Sequence, residues 1–233
     1  MSATRLLQRR KGLRSPLVHV RRLRQLTSGR LSMSQEGEDI LLEKLNLFDP
    51  SSGFIEIGGF HPFRFSNTAR LYRYGGNGLI VEPNSVMAAK CRRGRPRDFV
   101  VEAAVDAHCG EGILYGFEQP AFNTMSEAQA KLRQHEGHRI VSQNVVDLIT
   151  LEEVVELYVS QVGLPCSLLS IDIEGLDVEV LSQLKELSFR PRVLVFESLC
   201  PASSMAAERV EVARQQIPTG YEVRSILGGS VVA

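Results

Sequence analysis

Apolar residues in this chain gather in short dense runs, separated by longer stretches with helical spacing. Five runs stand out: residues 53–57, "GLIVEPN" at 78–84, "DFVVEAAV" at 98–105, "SLLSIDIEG" at 167–175 and "PRVLVFE" at 191–197. They are too short for helices and nearly continuous rather than alternating, which predicts strands buried on both faces. Ser34 is placed to cap a helix with Glu36, Glu38 and Asp39 in its first turn and Ile40, Leu41, Leu42, Leu45 and Leu47 as its apolar stripe. Acids at that end suit the positive pole of the helix. A second helix runs from Ser66 to about Tyr74 and is stopped by Gly75-Gly76, and Asn84 caps a third to about Arg93. Ser126-x-x-Gln129 and the capping box Thr150-x-x-Glu153 open two more, the latter reaching about Val162. Leu176, Val180, Leu181 and Leu184 mark a helix after the fourth run, and another lies within 203–216. Gly110 to Gly116 predicts a short β excursion, with further strands at 140–146 and Tyr221–Leu227.

Strands of this kind alternating with helices predict an α/β fold: a Rossmann-like, doubly wound, mostly parallel sheet flanked by helices. Its ligand site belongs at the carboxyl ends of the strands. At 233 residues the chain suffices for one such domain with a sizeable core. The tail is short. Gly228-Gly229 reads as a turn and leaves only Ser230–Ala233 for a closing antiparallel strand, so the edge is expected to be incomplete or supplied by a partner, as in a homodimer.

Charge divides the chain. Residues 1–30 hold nine of the 27 Lys and Arg residues and none of the 27 acids, so the remainder carries 18 basic against 27 acidic groups. This predicts a basic N-terminal extension over 1–30 and a folded domain over 31–233. The extension reads as a solvated arm, a contact for an anionic surface such as lipid headgroups or nucleic acid, or a mitochondrial transit peptide. No stretch approaches the ~18 apolar residues of a membrane span. Cys91, Cys109, Cys166 and Cys200 are scattered without a CxxC pair, which fits reduced thiols and a cytoplasmic location. His135 and His138 lack nearby partners and read as a solvated face rather than a metal site.

Four of the five runs end on a carboxylate: Glu56, Glu82, Asp172 (with Glu174) and Glu197. Desolvating an acid is expensive, and four at converging strand ends predict a ligand crevice. A dinucleotide site would read G-x-G-x-x-G. Here "FIEIGGFHP" (54–62) has no third glycine and places Glu56 before the first, which would repel a phosphate and welcome a cation. S-adenosylmethionine has an ammonium, a sulfonium, a ribose diol and no phosphate. Glu56 is therefore expected near its methionine end and Glu82 on its ribose hydroxyls.

"SQEGED" (34–39), "FIEIGGFHP", "SNTARLYRYGGNGLIVEPN" (66–84), "EAAVD" (102–106) and "LLSIDIEGLDVEVL" (168–181) together resemble the FkbM-type methyltransferases, a branch of the Rossmann-like, S-adenosylmethionine-dependent class I methyltransferases. The resemblance runs from about Ser34 to Glu197. It implies methyl transfer to a hydroxyl of a sugar, glycan or natural product. It also implies a cofactor site drawn from Gln35, Glu56, Gly58, Gly59, Glu82, Pro83, Glu102, Ala104 and Asp172, with Asp172 beside the transferring methyl. Two departures are visible: Gly75-Gly76-Asn77-Gly78 replaces a usual Trp, and Glu102 stands where Asn is frequent near the adenine.

A hydroxyl acceptor needs a base or a metal. Asp172 and His61 are the candidate bases. Asp172 and Glu197, at the ends of neighbouring strands, are the candidate ligands of a Mg²⁺ ion. Two other readings stand beside this one: an RNA methyltransferase whose arm grips phosphates, and a non-catalytic cofactor-binding or scaffold protein. The absence of Trp leaves few stacking platforms for RNA.

Overall fold

The computed structural model describes residues 31–173, 175–198 and 206–233. The basic extension over 1–30, Glu174 and Cys200 lie outside the described residues. The chain divides between Ser32 and Met33, and Met33–Ala233 carries both sheets and the helices around them.

Helix α1 (Glu38–Lys44) leads into β1 (Gly53–Ile57), α2 (Ala69–Arg73), β2 (Gly78–Val81), α3 (Ser85–Gly94) and β3 (Phe99–Val101). A smaller sheet comes next, made of β4 (Ala104–Val105), β5 (Gly110–Phe117) and β6 (Ile140–Ile149), with a 3-10 turn (Pro120–Phe122) and α4 (Glu127–His135) between the last two. The chain then returns through α5 (Leu151–Gln161), β7 (Cys166–Ile171), α6 (Asp177–Gln183), β8 (Val193–Glu197), α7 (Ala206–Gln216), β9 (Ser225–Leu227) and β10 (Ser230–Val232). The main sheet has the order β3-β2-β1-β7-β8-β10-β9. Its first five strands are parallel, and β10 is antiparallel to both β8 and β9. This is the doubly wound, helix-flanked sheet that the apolar runs predict, and its order reverses between β1 and β7.

Both faces of the central strands are buried. Ile55, Ile57, Leu79, Val81, Leu169, Ile171, Leu194 and Phe196 share one core with α5 and α6. Their neighbours Phe54, Leu168, Val193 and Val195 pack on the other face against Leu42, Leu71 and Tyr72. Each such side chain contributes roughly 1.5–3 kcal/mol on burial, which is why the runs show no polar alternation. The predicted caps at Asn84, Ser126 and Thr150 are in place, the last as a full capping box.

Three expectations are corrected. The run at 98–105 does not form one strand: Phe99–Val101 pairs with β2, whereas Ala104–Val105 pairs with the end of β6 in the smaller sheet. Ser34 accepts the Asp39 N–H, but the cap position itself is Gly37 at φ 98°. The chain itself supplies β10 and β9 beside β8 at the C-terminal edge. A hairpin at Gly228-Gly229 inserts β10 between β8 and β9, and Ala233 exchanges backbone hydrogen bonds with Leu194. Three residues suffice because both neighbours satisfy their backbone groups.

Candidate active site

The site begins at the turn after β1. Gly58 adopts φ +91°, and a Cβ there would lie 1.9 Å from the carbonyl oxygen of Asp172. Only glycine lets this turn rest against the end of β7. The N–H groups of Gly58 and Gly59 both donate to the Val81 carbonyl, and that of Asp172 donates to Ile57. The ends of β1, β2 and β7 are thus bound into one crevice. Gly59 faces away from it, with a hypothetical Cβ 2.2 Å from Ile80 Cγ2, so its small size serves packing.

A cavity of about 400 Å³ opens over this crevice, within the range of small-molecule sites. Gln35, Gly58, Glu82, Pro83, Ala104 and Asp172 line it, with Ile57, Val81, Met87 and Ala103 as apolar walls. The opposite wall comes from Leu114 on β5 and the segment Gln119–Met125. Tyr115 and Thr124 exchange backbone hydrogen bonds, and Asn123 Oδ1 accepts the Phe117 N–H, which folds that segment back over the cavity. The Arg133 guanidinium grips the Phe122 carbonyl from α4. Sequence reading missed this wall, since the segment lacks periodicity; its turn chemistry (Pro120, Asn123, Thr124) was the available signal.

Glu82 is built to hold a shape. Its two carboxylate oxygens accept the backbone N–H groups of Phe60 (2.8 Å) and Asn84 (2.7 Å). Burial, helped by the nearby charge of Glu56, pushes its pKa up to about 7 against the opposing pull of those two N–H groups.

Besides Gly59, four sequence-predicted residues lie outside the cavity: Glu56, His61, Glu102 and Glu197. Glu56 does not line the cavity: Ser66 Oγ and Thr68 Oγ1 donate to its carboxylate at 2.7 and 2.6 Å, and Arg95 Nη1 lies 3.0 Å away. The cation this acid receives is an internal arginine, not the methionine end of a cofactor. Arg95, fully buried and also bonded to Asp98, was missed; a basic residue between Gly94 and Pro96 gave no sign of burial. His61 is also outside, with Nδ1 accepting the N–H groups of Phe63 and Arg64. Glu102 is exposed and pairs with Arg92 at 3.0 Å, leaving Ala103 and Ala104 to face the cavity.

Asp172 and Glu197 do not meet in the cavity. Asp172 lines it and Glu197 does not; the Glu197 N–H instead donates to Asp177, an unpredicted buried acid whose pKa desolvation raises to about 7. Among the described residues no group of three or more His, Cys, Asp or Glu is placed to hold a metal. Nor is any described helix long and apolar enough to cross a membrane.

Compared with known families, residues 56–223 match the methyltransferase FkbM domain. The chain belongs to the FkbM methyltransferase family. No curated protein matches it. Among solved structures it is similar to a TehB-like SAM-dependent methyltransferase from Corynebacterium glutamicum, at 12% identity over 94% of this chain and 97% of that one, with a TM-score of 0.38. It is also similar to an O-methyltransferase from Bacillus cereus in complex with SAH, at 13% identity over 88% and 78%, with a TM-score of 0.37. Likenesses this distant carry no weight for function. The FkbM match spans β1 through the approach to β9, and Gln35 enters the cavity from the segment before it. Membership makes the chain an S-adenosylmethionine-dependent methyltransferase, and the cavity holds a carboxylate fixed by two backbone N–H groups, a tight glycine turn and no Lys or Arg among the described lining residues.

Proposed function

We propose that this FkbM-family enzyme transfers a methyl group from S-adenosylmethionine to a hydroxyl of a sugar, glycan or natural product. The observation that carries this reading is the pair of acids in the cavity. Glu82 is held in place by two backbone N–H groups, and Asp172, just after β7, lines the same cavity, which supports a division of roles between cofactor and acceptor. A hydroxyl is a poor nucleophile at neutral pH and needs its proton drawn off as it attacks, which a carboxylate in the cavity can do.

The cofactor supplies an electrophilic methyl on a sulfonium. Glu82 would accept the ribose hydroxyls, and the Gly58 turn and Pro83 would border its two ends. Asp172 would take the acceptor proton as the oxygen attacks, and the apolar walls would exclude water from the displacement. No step requires a metal. The alternative of RNA methylation drew on the basic arm, outside the described residues. Cys91, Cys109 and Cys166 are free thiols, which supports a reducing compartment such as the cytoplasm.

The test is incubation with methyl-labelled S-adenosylmethionine and a panel of sugars and polyols, followed by mass spectrometry of the products. Methyl ethers formed by the parent chain and lost in Asp172→Asn, with cofactor binding retained, are the expected result. Methylation confined to amines, or an Asp172→Asn variant of full activity, overturns the hydroxyl reading.

A further inference from the structure

Over two aromatic rings of the cavity lining lies a cation that the proposed chemistry does not use. Phe60 and Phe65 both line the cavity, and Phe65 is 41% exposed, so the two rings mark its rim. They lie stacked, with centroids 6.2 Å apart and planes 16° from parallel. Both have positive φ, 26° and 62°, a costly conformation for a bulky side chain and one the surroundings must enforce. The Arg64 guanidinium lies over both, 5.8 Å from the Phe60 centroid and 4.8 Å from that of Phe65. His61 fixes the loop by accepting the Arg64 and Phe63 N–H groups.

Among the described residues, Arg64 makes no ion pair with an acid, as is true also of Arg97, which instead bonds the Tyr72 and Gly76 carbonyls. Arg70 pairs with Glu43, Arg92 with Glu102, Arg95 with Glu56 and Asp98, and Arg139 with Glu118. The described contacts of Arg64 are the two rings and the His61 turn. This holds in a domain with 27 acids against 18 basic residues, beside a cavity lined by Glu82 and Asp172. Stacking restricts the rotamers of this exposed side chain beside the two lining rings and leaves its N–H donors available. A planar donor fork of this kind suits a carboxylate or phosphate.

We propose that Arg64 recognises an anionic oxygen group on what occupies the cavity, resting on the methyltransferase reading above. Two sources present that chemistry: the amino-acid carboxylate of S-adenosylmethionine, or an acidic group on the acceptor, such as a uronate or phosphate. In either case the arginine also offsets the repulsion that Glu82 and Asp172 exert on an incoming anion.

Calorimetry on the full chain and its Arg64→Gln and Arg64→Lys variants separates the sources. The first arm compares S-adenosylhomocysteine with its decarboxylated analogue, which keeps the amine. If the cofactor is the source, the parent chain's preference for the carboxylated ligand falls about tenfold in Arg64→Gln and partly recovers in Arg64→Lys. The second arm titrates the S-adenosylhomocysteine complex with glucuronate, glucose and inorganic phosphate. If the acceptor is the source, the first preference is unchanged, and the parent complex alone responds to glucuronate or phosphate but not glucose. A parent chain that binds S-adenosylhomocysteine with an unmoved preference and no anion response in any variant overturns the role of Arg64 alone. A parent chain that binds no form of the cofactor overturns the methyltransferase reading and this proposal with it. Matching thermal melts for the three proteins exclude misfolding as the cause of a loss.

Discussion

Glu56 and Arg95 form a buried ion pair, 3.0 Å apart, that joins the end of β1 to the residue after α3. Ser66 and Thr68 each bond to both partners, and the guanidinium also lies 5.1 Å from the ring centroids of Phe54 and Tyr72. Removing Glu56 leaves the buried guanidinium with Asp98 as its remaining acid, whereas neutralising both acids and the arginine together leaves no buried charge unpaired. Glu56→Ala should therefore destabilise the fold by about 3–5 kcal/mol. The triple change Glu56→Met, Arg95→Met and Asp98→Asn, which leaves no buried acid without its cation and keeps the bond from the Gly78 N–H, should recover much of that loss. Urea titrations of the three proteins check it, and a Glu56→Ala variant of parental stability would show that the pair is dispensable.

Glu82 links cofactor binding to pH. Its folded pKa of about 7 lies above the ordinary 4.5, because burial disfavours the charged form. Its contribution to stability is therefore fully present below about 4.5 and is lost as pH rises through about 7. Ribose hydroxyls donate to the carboxylate and favour the ionised form, so binding should release protons. With a free-protein pKa near 7, affinity for S-adenosylhomocysteine should rise about tenfold from pH 6 to pH 8. Glu82→Gln should abolish that slope and weaken binding by about 1.5–3 kcal/mol. Calorimetry in buffers of different ionisation enthalpy measures both effects, and a flat pH profile for the parent chain would falsify the ribose assignment.

The contrast between Glu56 and Glu82 shows how far the sequence can be read. Both are acids at the ends of buried strands, and both look like open ligand groups when only near neighbours along the chain are considered. The fold separates them through partners that sequence spacing does not reveal: Arg95, 39 residues from Glu56, neutralises one. The other draws its donors from Phe60 and Asn84, and so remains at the cavity. The sheet itself was legible because burial on both faces leaves nearly continuous apolar runs in β1, β2, β7 and β8. The wall over Gln119–Met125 was not, since turn hydrogen bonds and a distant arginine shape it rather than periodicity.

Gly58→Ala tests whether the β1 turn controls the site. The added methyl would sit 1.9 Å from the Asp172 carbonyl oxygen, at a φ of +91° that alanine tolerates poorly. Backbone rather than a flexible side chain is the obstacle, so the ends of β1 and β7 must separate. Cofactor binding should fall below detection, with a stability loss of roughly 1–3 kcal/mol for the strained position. Gly137→Ala is a useful control: its φ of +91° is the same, but nothing lies within 4 Å of the added methyl. It should cost stability alone. Parental cofactor affinity in Gly58→Ala would show that the turn does not shape the site.

His61 should act as a tether rather than a base. Its Nδ1 accepts two backbone N–H groups at 3.1 Å, which requires that nitrogen to be unprotonated, and the ring does not line the cavity. Burial, followed by the charges of Arg64 and Lys90, lowers its pKa from 6.5. The neutral form is the one the fold favours. Its contribution is present above 6.5 and is lost as pH falls through the lowered folded value. His61→Ala should release the Phe63–Arg64 loop at a cost of about 1 kcal/mol and leave the methyl-transfer rate within a few-fold of the parent. Asp172→Asn should instead lower that rate by about 10²–10⁴ with the fold intact, the range for losing a general base. Single-turnover measurements of the two variants decide between them. A His61→Ala loss as large as that of Asp172→Asn would move the base to the histidine and require the loop to rearrange when the acceptor binds.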